Sequence, residues 1–146
     1  MKRVWTLTAI YDHESKESIK ILLDEVCNIY SEIEHMTWTL FHFAVGQQHY
    51  EVLDLLLERD YNINYIPSCG YSAISLAVKL DCDFAQQESK QIKYIHTLEL
   101  LKRGGEVENV NEKGDSIVDI ANSYSFDFAR VLEETLKKMN LEPKQV

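Results

Sequence analysis

The chain has 146 residues, 45% of them hydrophobic, which suits one compact domain with a single core. It carries 24 acidic and 15 basic side chains, and the formal net charge of −9 disfavours nucleic acid and anionic membranes and favours a basic partner. Three cysteines without a C-x-x-C spacing support neither a disulfide framework nor a zinc site.

The sequence contains no run of about 20 apolar residues of the kind that crosses a membrane. Its first residues, "MKRVWTLTAIYDHE", lack the apolar core of a signal peptide. No Pro-, Gly- or Ser-rich linker interrupts the chain. We therefore expect residues 1–146 to form one cytoplasmic domain with reduced thiols.

The first predicted elements are a helix over about 3–13 and an amphipathic helix over 16–33. In the second, apolar residues recur at three-and-four spacing, and Ser15 is placed to cap its N-terminus. The same spacing returns in "HYEVLDLLLERD" and in "QIKYIHTLELLKRGG", where two glycines are typical of a helix C-terminus. A last pair of helices is expected over about 116–123 and 126–139. Sustained strand alternation is absent, so the sequence predicts an all-α fold.

Three segments of the chain resemble one another. "TLFHFAV" begins at 39, "SAISLAV" at 72 and "SIVDIAN" at 116, so the two spacings are 33 and 44 residues. The stretches 57–72 and 101–116 have equal length. The 11 extra residues of the longer spacing therefore lie within 79–94.

Residues 39–64 resemble the ankyrin repeat family. The family signature T-P-L-H-x-A appears as "TLFHFA", with Leu40 in the place of proline. The resemblance implies a solenoid of about four stacked helix pairs with hairpin tips, in units of about 1–36, 37–69, 70–113 and 114–146, the third carrying the insertion. It also implies a local hydrogen bond between His42 and Thr39, and places His49 at the start of the next helix.

This register argues against a metal site on His42 and His49, because it puts them on different elements. No three-ligand set with suitable spacing emerges, and no metal or cofactor is expected. A nucleophilic Cys69 or Cys82 is the remaining enzymatic hypothesis. Carboxylates beside Cys82 would raise the pKa of its thiol and oppose activation. No catalytic residue is predicted.

In ankyrin-like stacks, partners usually bind the hairpin tips and the exposed side of the first helix of each pair. Here this implies the tips "YNINYIPSCGYS" and "EVENVNEKGDS", and the insertion as well. A second interpretation stays open, in which the tyrosines pack between neighbouring tips and the insertion only lengthens a helix pair. The candidate partner-binding residues are Tyr61, Tyr65, Ile66, Tyr71, Asp81, Asp83, Phe84, Glu106, Glu108, Glu112 and Asp115.

The sequence therefore predicts a non-enzymatic protein-binding module, a monomer or one half of a 1:1 complex. Its small size, its acidity and the family analogy suggest an immunity protein that neutralises a basic toxin domain by occluding it. The alternative is a generic ankyrin scaffold or adaptor that binds another protein or peptide.

Overall fold

The computed structural model describes residues 2–26, 28–33 and 37–140, with side chains from Trp5 onward. The described chain is all-helical, as predicted, and contains no helix long and apolar enough to cross a membrane. Its eight helices are α1 Lys2–Tyr11, α2 Lys16–Asp24, α3 Leu40–Gly46, α4 Tyr50–Glu58, α5 Ala73–Glu88, α6 Ile95–Lys102, α7 Ile117–Tyr124 and α8 Phe126–Lys138.

Consecutive helices pack as four pairs: α1 with α2, α3 with α4, α5 with α6, and α7 with α8. The first helices of neighbouring pairs also pack against each other, α1 against α3, α3 against α5, and α5 against α7. One helix pair is too small to bury its own apolar face. Stacking therefore supplies the core, as in repeat proteins generally.

The three similar segments each begin a first helix, and the hydroxyl residue that opens each segment is the helix N-cap. Ser116 illustrates the physical reason. Its hydroxyl accepts from the backbone N–H of Asp119 at 3.0 Å, while the Asp119 carboxylate accepts from the backbone N–H of Ser116 at 2.9 Å. This capping box satisfies two backbone donors that a helix start would otherwise leave free.

The equivalent hydroxyl of Thr39 takes part in a longer, largely buried chain of hydrogen bonds. The Tyr61 hydroxyl lies 2.8 Å from Thr39 Oγ1, and Thr39 Oγ1 lies 3.1 Å from His42 Nδ1. The second contact confirms the local hydrogen bond between Thr39 and His42 that the family resemblance implies. His42 Nε2 then donates to the carbonyl of Tyr71 at 3.0 Å, because a carbonyl can only accept. The histidine therefore links its own repeat to the next one.

The predicted second helix is too long, because α2 ends at Asp24 and not near residue 33. The following residues are irregular but still send apolar side chains into the core; Ile33, for example, is buried. Tyr30 fixes this segment against the next repeat, since its hydroxyl accepts from the backbone N–H of Asn62 at 2.8 Å. The three-and-four spacing of apolar residues over 16–33 therefore predicted which side chains face the core, but it did not predict where the helix ends.

The insertion lengthens the first helix of the third pair. Helix α5 has 16 residues, whereas the corresponding helices α3 and α7 have seven and eight. Its C-cap is Ser89, which is left-handed with φ of 51°, and residues 89–94 connect it to α6. The insertion thus adds about two helical turns to α5 at the end where it joins α6.

The first prediction concerns pH and His42. Burial lowers the pKa of His42 from 6.5 to about 4, although the bond to the Tyr71 carbonyl partly opposes the shift. The unfolded chain therefore binds this proton more readily, and stability is fully present above pH 6.5 and is lost as the pH falls toward 4. Between pH 7 and 5 this residue should remove about 2 kcal/mol from the free energy of unfolding.

Urea unfolding of the wild type and of His42→Gln at both pH values checks this expectation. The variant is less stable at pH 7, but its loss between pH 7 and 5 should be smaller than that of the wild type by this amount. Equal losses in the two proteins would contradict it.

Candidate functional site

The two predicted tips lie side by side at one end of the stack. Tyr71 and Asn111 form an antiparallel bridge, flanked by hydrogen bonds from Ser72 N to Val110 O at 2.8 Å and from Glu112 N to Gly70 O at 2.9 Å. The backbone is therefore continuous across the two tips. A rigid, shared edge of this kind can present side chains from both tips to one partner.

Gly70 is favoured at this edge by its backbone conformation. Its φ of +88° lies in the left-handed region, which glycine adopts without strain. A Cβ atom there would lie 3.0 Å from Glu112 Oε2, but this oxygen ends an exposed, flexible side chain that can shift.

The second tip is a tight hairpin held by its own polar groups. Val110 N donates to Asp115 O at 2.9 Å, and Asn111 Oδ1 accepts from the backbone N–H groups of Lys113 and Asp115, both at 3.0 Å. The Asn111 amide also donates to the Asp115 carboxylate at 2.9 Å. The hairpin is therefore ordered by local bonds that do not involve a partner.

The acidic side chains of this tip are not neutralised within the protein. Glu106 and Glu112 are exposed, and Glu108 and Asp115 are half-buried. Within residues 2–26, 28–33 and 37–140, none of the four forms an ion pair; the acidic residues that do include Asp24, Asp54 and Glu99, each bound to an arginine. The tip therefore presents a net negative surface, with Lys113 as the one basic residue of segment 106–116.

Tyr61, one of the predicted contact residues, is buried at 4% exposure and is not part of the surface. Its ring stacks against Phe41 at 4.6 Å and Tyr30 at 4.9 Å, and its hydroxyl bonds to Thr39. Burial raises the pKa of the Tyr61 phenol. Tyr61 is therefore an aromatic residue of the first tip because it packs in the core, and not because it contacts a partner.

The other apolar residues of the first tip, Tyr65, Ile66 and Tyr71, are half-buried. The Tyr65 ring lies 4.6 Å from that of Tyr30, and the Tyr71 hydroxyl accepts from Trp38 Nε1 at 2.8 Å. These contacts join neighbouring repeats, in agreement with the packing interpretation. Each side chain nevertheless keeps a partly exposed edge beside the acidic hairpin.

The insertion does not lie beside the tips. Phe84 is 12 residues after Ser72 along α5, which corresponds to about 18 Å at the helical rise of 1.5 Å per residue. The predicted residues therefore fall into two groups at opposite ends of α5, and the structure does not bring them into one surface.

Asp81 is also buried, contrary to its predicted role in surface contact. Its carboxylate accepts from His96 Nδ1 at 2.7 Å, from the Thr97 hydroxyl at 2.7 Å and from the Thr97 backbone N–H at 2.9 Å. It therefore caps the N-terminus of α6 and couples the lengthened helix to its pair partner. Asp83 is half-buried. Burial of Tyr124, with a smaller contribution from Asp83, raises the pKa of the Tyr124 phenol to about 12.

A cleft of about 370 Å³ lies between the end of α5 and the start of α6. Phe84 and Ile95, 46% and 57% exposed, contribute its apolar walls. The Phe84 ring is stacked on the imidazole of His96 at 5.9 Å, and His96 Nε2 is buried without a hydrogen-bond partner. Sequence patterns gave no indication of this cleft, because Asp81 and His96 are 15 residues apart and have no counterpart in the other repeats. Its lining residues are Gln48, Asp81, Phe84, Ala85, Glu88, Lys90, Gln91, Lys93, Ile95 and His96.

The thiols are poorly suited to nucleophilic chemistry. Burial raises the pKa of the Cys69 thiol, and it raises the pKa of the Cys82 thiol to about 12. Asp81 and Asp83 make smaller contributions at Cys82, and these also raise its pKa, as expected from the sequence. A thiolate is therefore scarce at neutral pH at both positions. Among the described residues, no group of three or more His, Cys, Asp and Glu side chains is placed to hold a metal ion. Cys27 lies outside those residues.

One segment of the chain matches a known protein family. A model of the ankyrin repeat family matches residues 36–64, which confirms the family resemblance drawn from residues 39–64. No curated protein matches the chain.

The second prediction separates the two neighbouring carboxylates of the insertion. Asp81→Ala should lower the free energy of unfolding by about 3 kcal/mol, because it leaves the buried donors of His96 and Thr97 without an acceptor. Asp83→Ala is the matched control and should lower it by less than about 1 kcal/mol. Urea unfolding at pH 7 measures both values, and losses of similar size would show that Asp81 does not hold α5 to α6.

Proposed function

We propose that this chain, of which residues 36–64 match the ankyrin repeat family, is a protein-binding module that binds a basic protein partner through its second tip. The most specific form of the proposal is an immunity protein that occludes a basic toxin domain in the cytosol. The complex is expected to contain one copy of each chain.

One observation carries the proposal: the four carboxylates of the second tip, Glu106, Glu108, Glu112 and Asp115, form no ion pair in the described part of the chain. Glu112 and Asp115 lie in the hairpin of residues 110–115, whose local hydrogen bonds restrict its shape, and Glu106 and Glu108 directly precede it. Like charges grouped on one exposed segment attract an approaching partner of the opposite charge. A basic surface is therefore steered to this tip, and its arrival costs little rearrangement of the hairpin.

The first tip supplies apolar surface beside these acids. Tyr65 and Ile66 are half-buried, and the backbone hydrogen bond from Glu112 N to Gly70 O joins their segment to the second tip. Interfaces commonly combine apolar anchors with a charged rim. The shared edge of the two tips fits this pattern.

Support for the immunity version is less direct. It comes from the small size of the chain, its net charge of −9 and the analogy with short acidic ankyrin-type inhibitors. Toxin domains that act on nucleic acid or nucleotides are often basic, and an acidic inhibitor would associate with them rapidly.

The alternative is an adaptor whose binding depends on the tyrosines of the first tip and hardly on salt. Tyr71 is already engaged by Trp38 and by Lys79, whose Nζ lies 4.4 Å from the ring centre. This arrangement leaves less of the tyrosine surface for a partner and favours the electrostatic proposal.

The third prediction tests the acidic tip with a charge-matched control. The partner is captured from the source organism with the purified chain, and its affinity is then measured for the double variant Glu106→Lys, Glu112→Lys. This variant should bind at least about tenfold more weakly, a loss of about 1.4 kcal/mol. The control, Glu58→Lys with Glu133→Lys, makes the same change in net charge at exposed positions on α4 and α8 and should change the affinity less than about threefold.

Salt dependence distinguishes the two modes of binding. The wild-type affinity should fall as ionic strength rises. The double variant Glu106→Lys, Glu112→Lys is called the acidic-tip variant. An affinity that does not change with salt, that is lost in Tyr65→Ala and that is normal in the acidic-tip variant would contradict the proposal and support the adaptor.

The immunity version has its own test. The captured partner is expressed in growing cells, with and without the chain. Growth arrest that the wild type relieves and the acidic-tip variant does not would support it; a harmless partner would refute the immunity role while leaving the tip interface intact.

A further inference from the structure

One side of α1 carries two large aromatic residues that face solvent. Trp5, Thr8 and Tyr11 follow one another at steps of three residues, so they share one side of the helix. Trp5 is 61% and Tyr11 64% exposed, and Thr8 between them is exposed as well. Thr6 and Ile10, on the opposite side, are fully buried.

The repeat frame shows that a helix covers the equivalent side in the following pairs. Ala9 corresponds to Ala44, because the carbonyl of each accepts at 3.0 Å from the backbone N–H five residues later. Trp5 therefore occupies the position of Leu40 in α3 and of Ala73 in α5. Leu40 and Ala73 are buried, in helices that have a first helix on each side. At Trp5 a further helix would complete the same packing.

The other end of the stack differs in chemistry. Ile74 and Val78 of α5 are buried, and their counterparts 44 residues later in α7 are Val118 and Asn122. Asn122 is exposed and polar, and so is the neighbouring Asp119. The outer side of α7 is therefore polar, as in a capping repeat. This polarity disfavours the stacking of α1 of one copy on α7 of another, which would build an open-ended chain.

The charges along α1 suit a second α1 that runs in the opposite direction. The first turn contains two basic residues in sequence, Lys2 and Arg3, and no acidic one. Residues 12–17, which follow the helix, contain three carboxylates, one lysine and one histidine. Asp12 and Glu14 lie at the negative end of the helix dipole and form no ion pair within the described part of the chain. An antiparallel pair of α1 helices thus brings a basic end beside an acidic end twice.

We propose that two copies of this chain associate through α1, antiparallel and related by a two-fold axis that passes near Thr8. Trp5 and Tyr11 lie three residues to either side of Thr8, about 4.5 Å along the helix. Trp5 of each copy therefore packs against Tyr11 of the other. The short side chain of Thr8 lets the helices approach at the crossing, and aromatic pairs add a geometric preference to the burial of apolar surface.

The size of the face sets the strength of the association. Helix α1 has ten residues, which is about 15 Å of helix, so the interface is smaller than the roughly 800 Å² per partner of stable complexes. We expect a dissociation constant on the order of 10 µM. The face belongs to the first helix pair, whereas the acidic tip precedes the fourth. The inference thus goes beyond the proposed function, and the ratio of chain to partner stays one to one.

The fourth prediction concerns self-association of the purified chain. Sedimentation equilibrium from about 1 to 200 µM should show monomer and dimer in exchange. Trp5→Ala should weaken the dimer at least about tenfold, because it removes both aromatic pairs. Phe126→Ala is the matched control: it removes a 76% exposed ring on α8 and should change the dissociation constant less than about twofold. Circular dichroism confirms that each variant is folded.

A cross-link tests the antiparallel crossing. Under mild oxidation, Thr8→Cys should give a dimer in which mass spectrometry finds position 8 of one copy linked to position 8 of the other, since the two Cα atoms come within disulfide range there. Glu133→Cys, at an exposed position on α8, is the control and should not give the corresponding link.

Three results would overturn the inference: a wild-type chain that is monomeric at the highest concentration, a dimer that Trp5→Ala does not weaken, or a dimer without the link at position 8. The acidic-tip variant should dimerise as the wild type does, because its substitutions lie outside α1. Failure of this association and failure of the tip interface are therefore separate results.

Discussion

The structure depends on the buried hydrogen-bond chain that runs from Tyr61 through Thr39 and His42 to the Tyr71 carbonyl. Every polar atom in it is paired, which is the condition under which a buried polar network stabilises one arrangement over others. Because its ends lie in different repeats, it sets the distance and rotation between them. The position of the first tip, and through the bridge at Tyr71 that of the second, follows from it.

Helix α5 connects the two tips to the insertion. At its start, α5 is held to the tips, where glycine at position 70 adopts a left-handed backbone. At its end, the insertion extends α5 past Asp81, whose carboxylate caps α6. The repeat frame therefore places the acidic tip and the lengthened end of α5 apart from each other.

The fold was predictable because repeats impose a period on the sequence. The segment from Thr39 to Asn64 contains the signature that the family model also matches, and the equal spacings around it located the insertion within 79–94. The length of α2 was not predictable in the same way. Residues near Ile33 are buried from an irregular segment, and apolar spacing reports burial in either conformation.

The candidate site was only partly accessible from the sequence. An acidic, glycine-containing hairpin between two helices is visible as composition, and Glu106 and Glu112 are indeed exposed. Tyr61 and Asp81 resemble surface residues in a turn and an insertion, but their burial depends on partners 22 and 15 residues away in sequence. Non-local pairing of this kind has no periodic signal, so the Asp81–His96 pair emerges only from the three-dimensional arrangement.

The central claim is that the shared edge of the tips is the interface, and hydrogen exchange on the complex with the captured partner tests it most directly. The account predicts that partner binding slows amide exchange over 65–70 and 106–115 and leaves the outer faces of α4 and α6 unchanged. Protection confined to α4 and α6, with the tips exchanging as in the free protein, would contradict it.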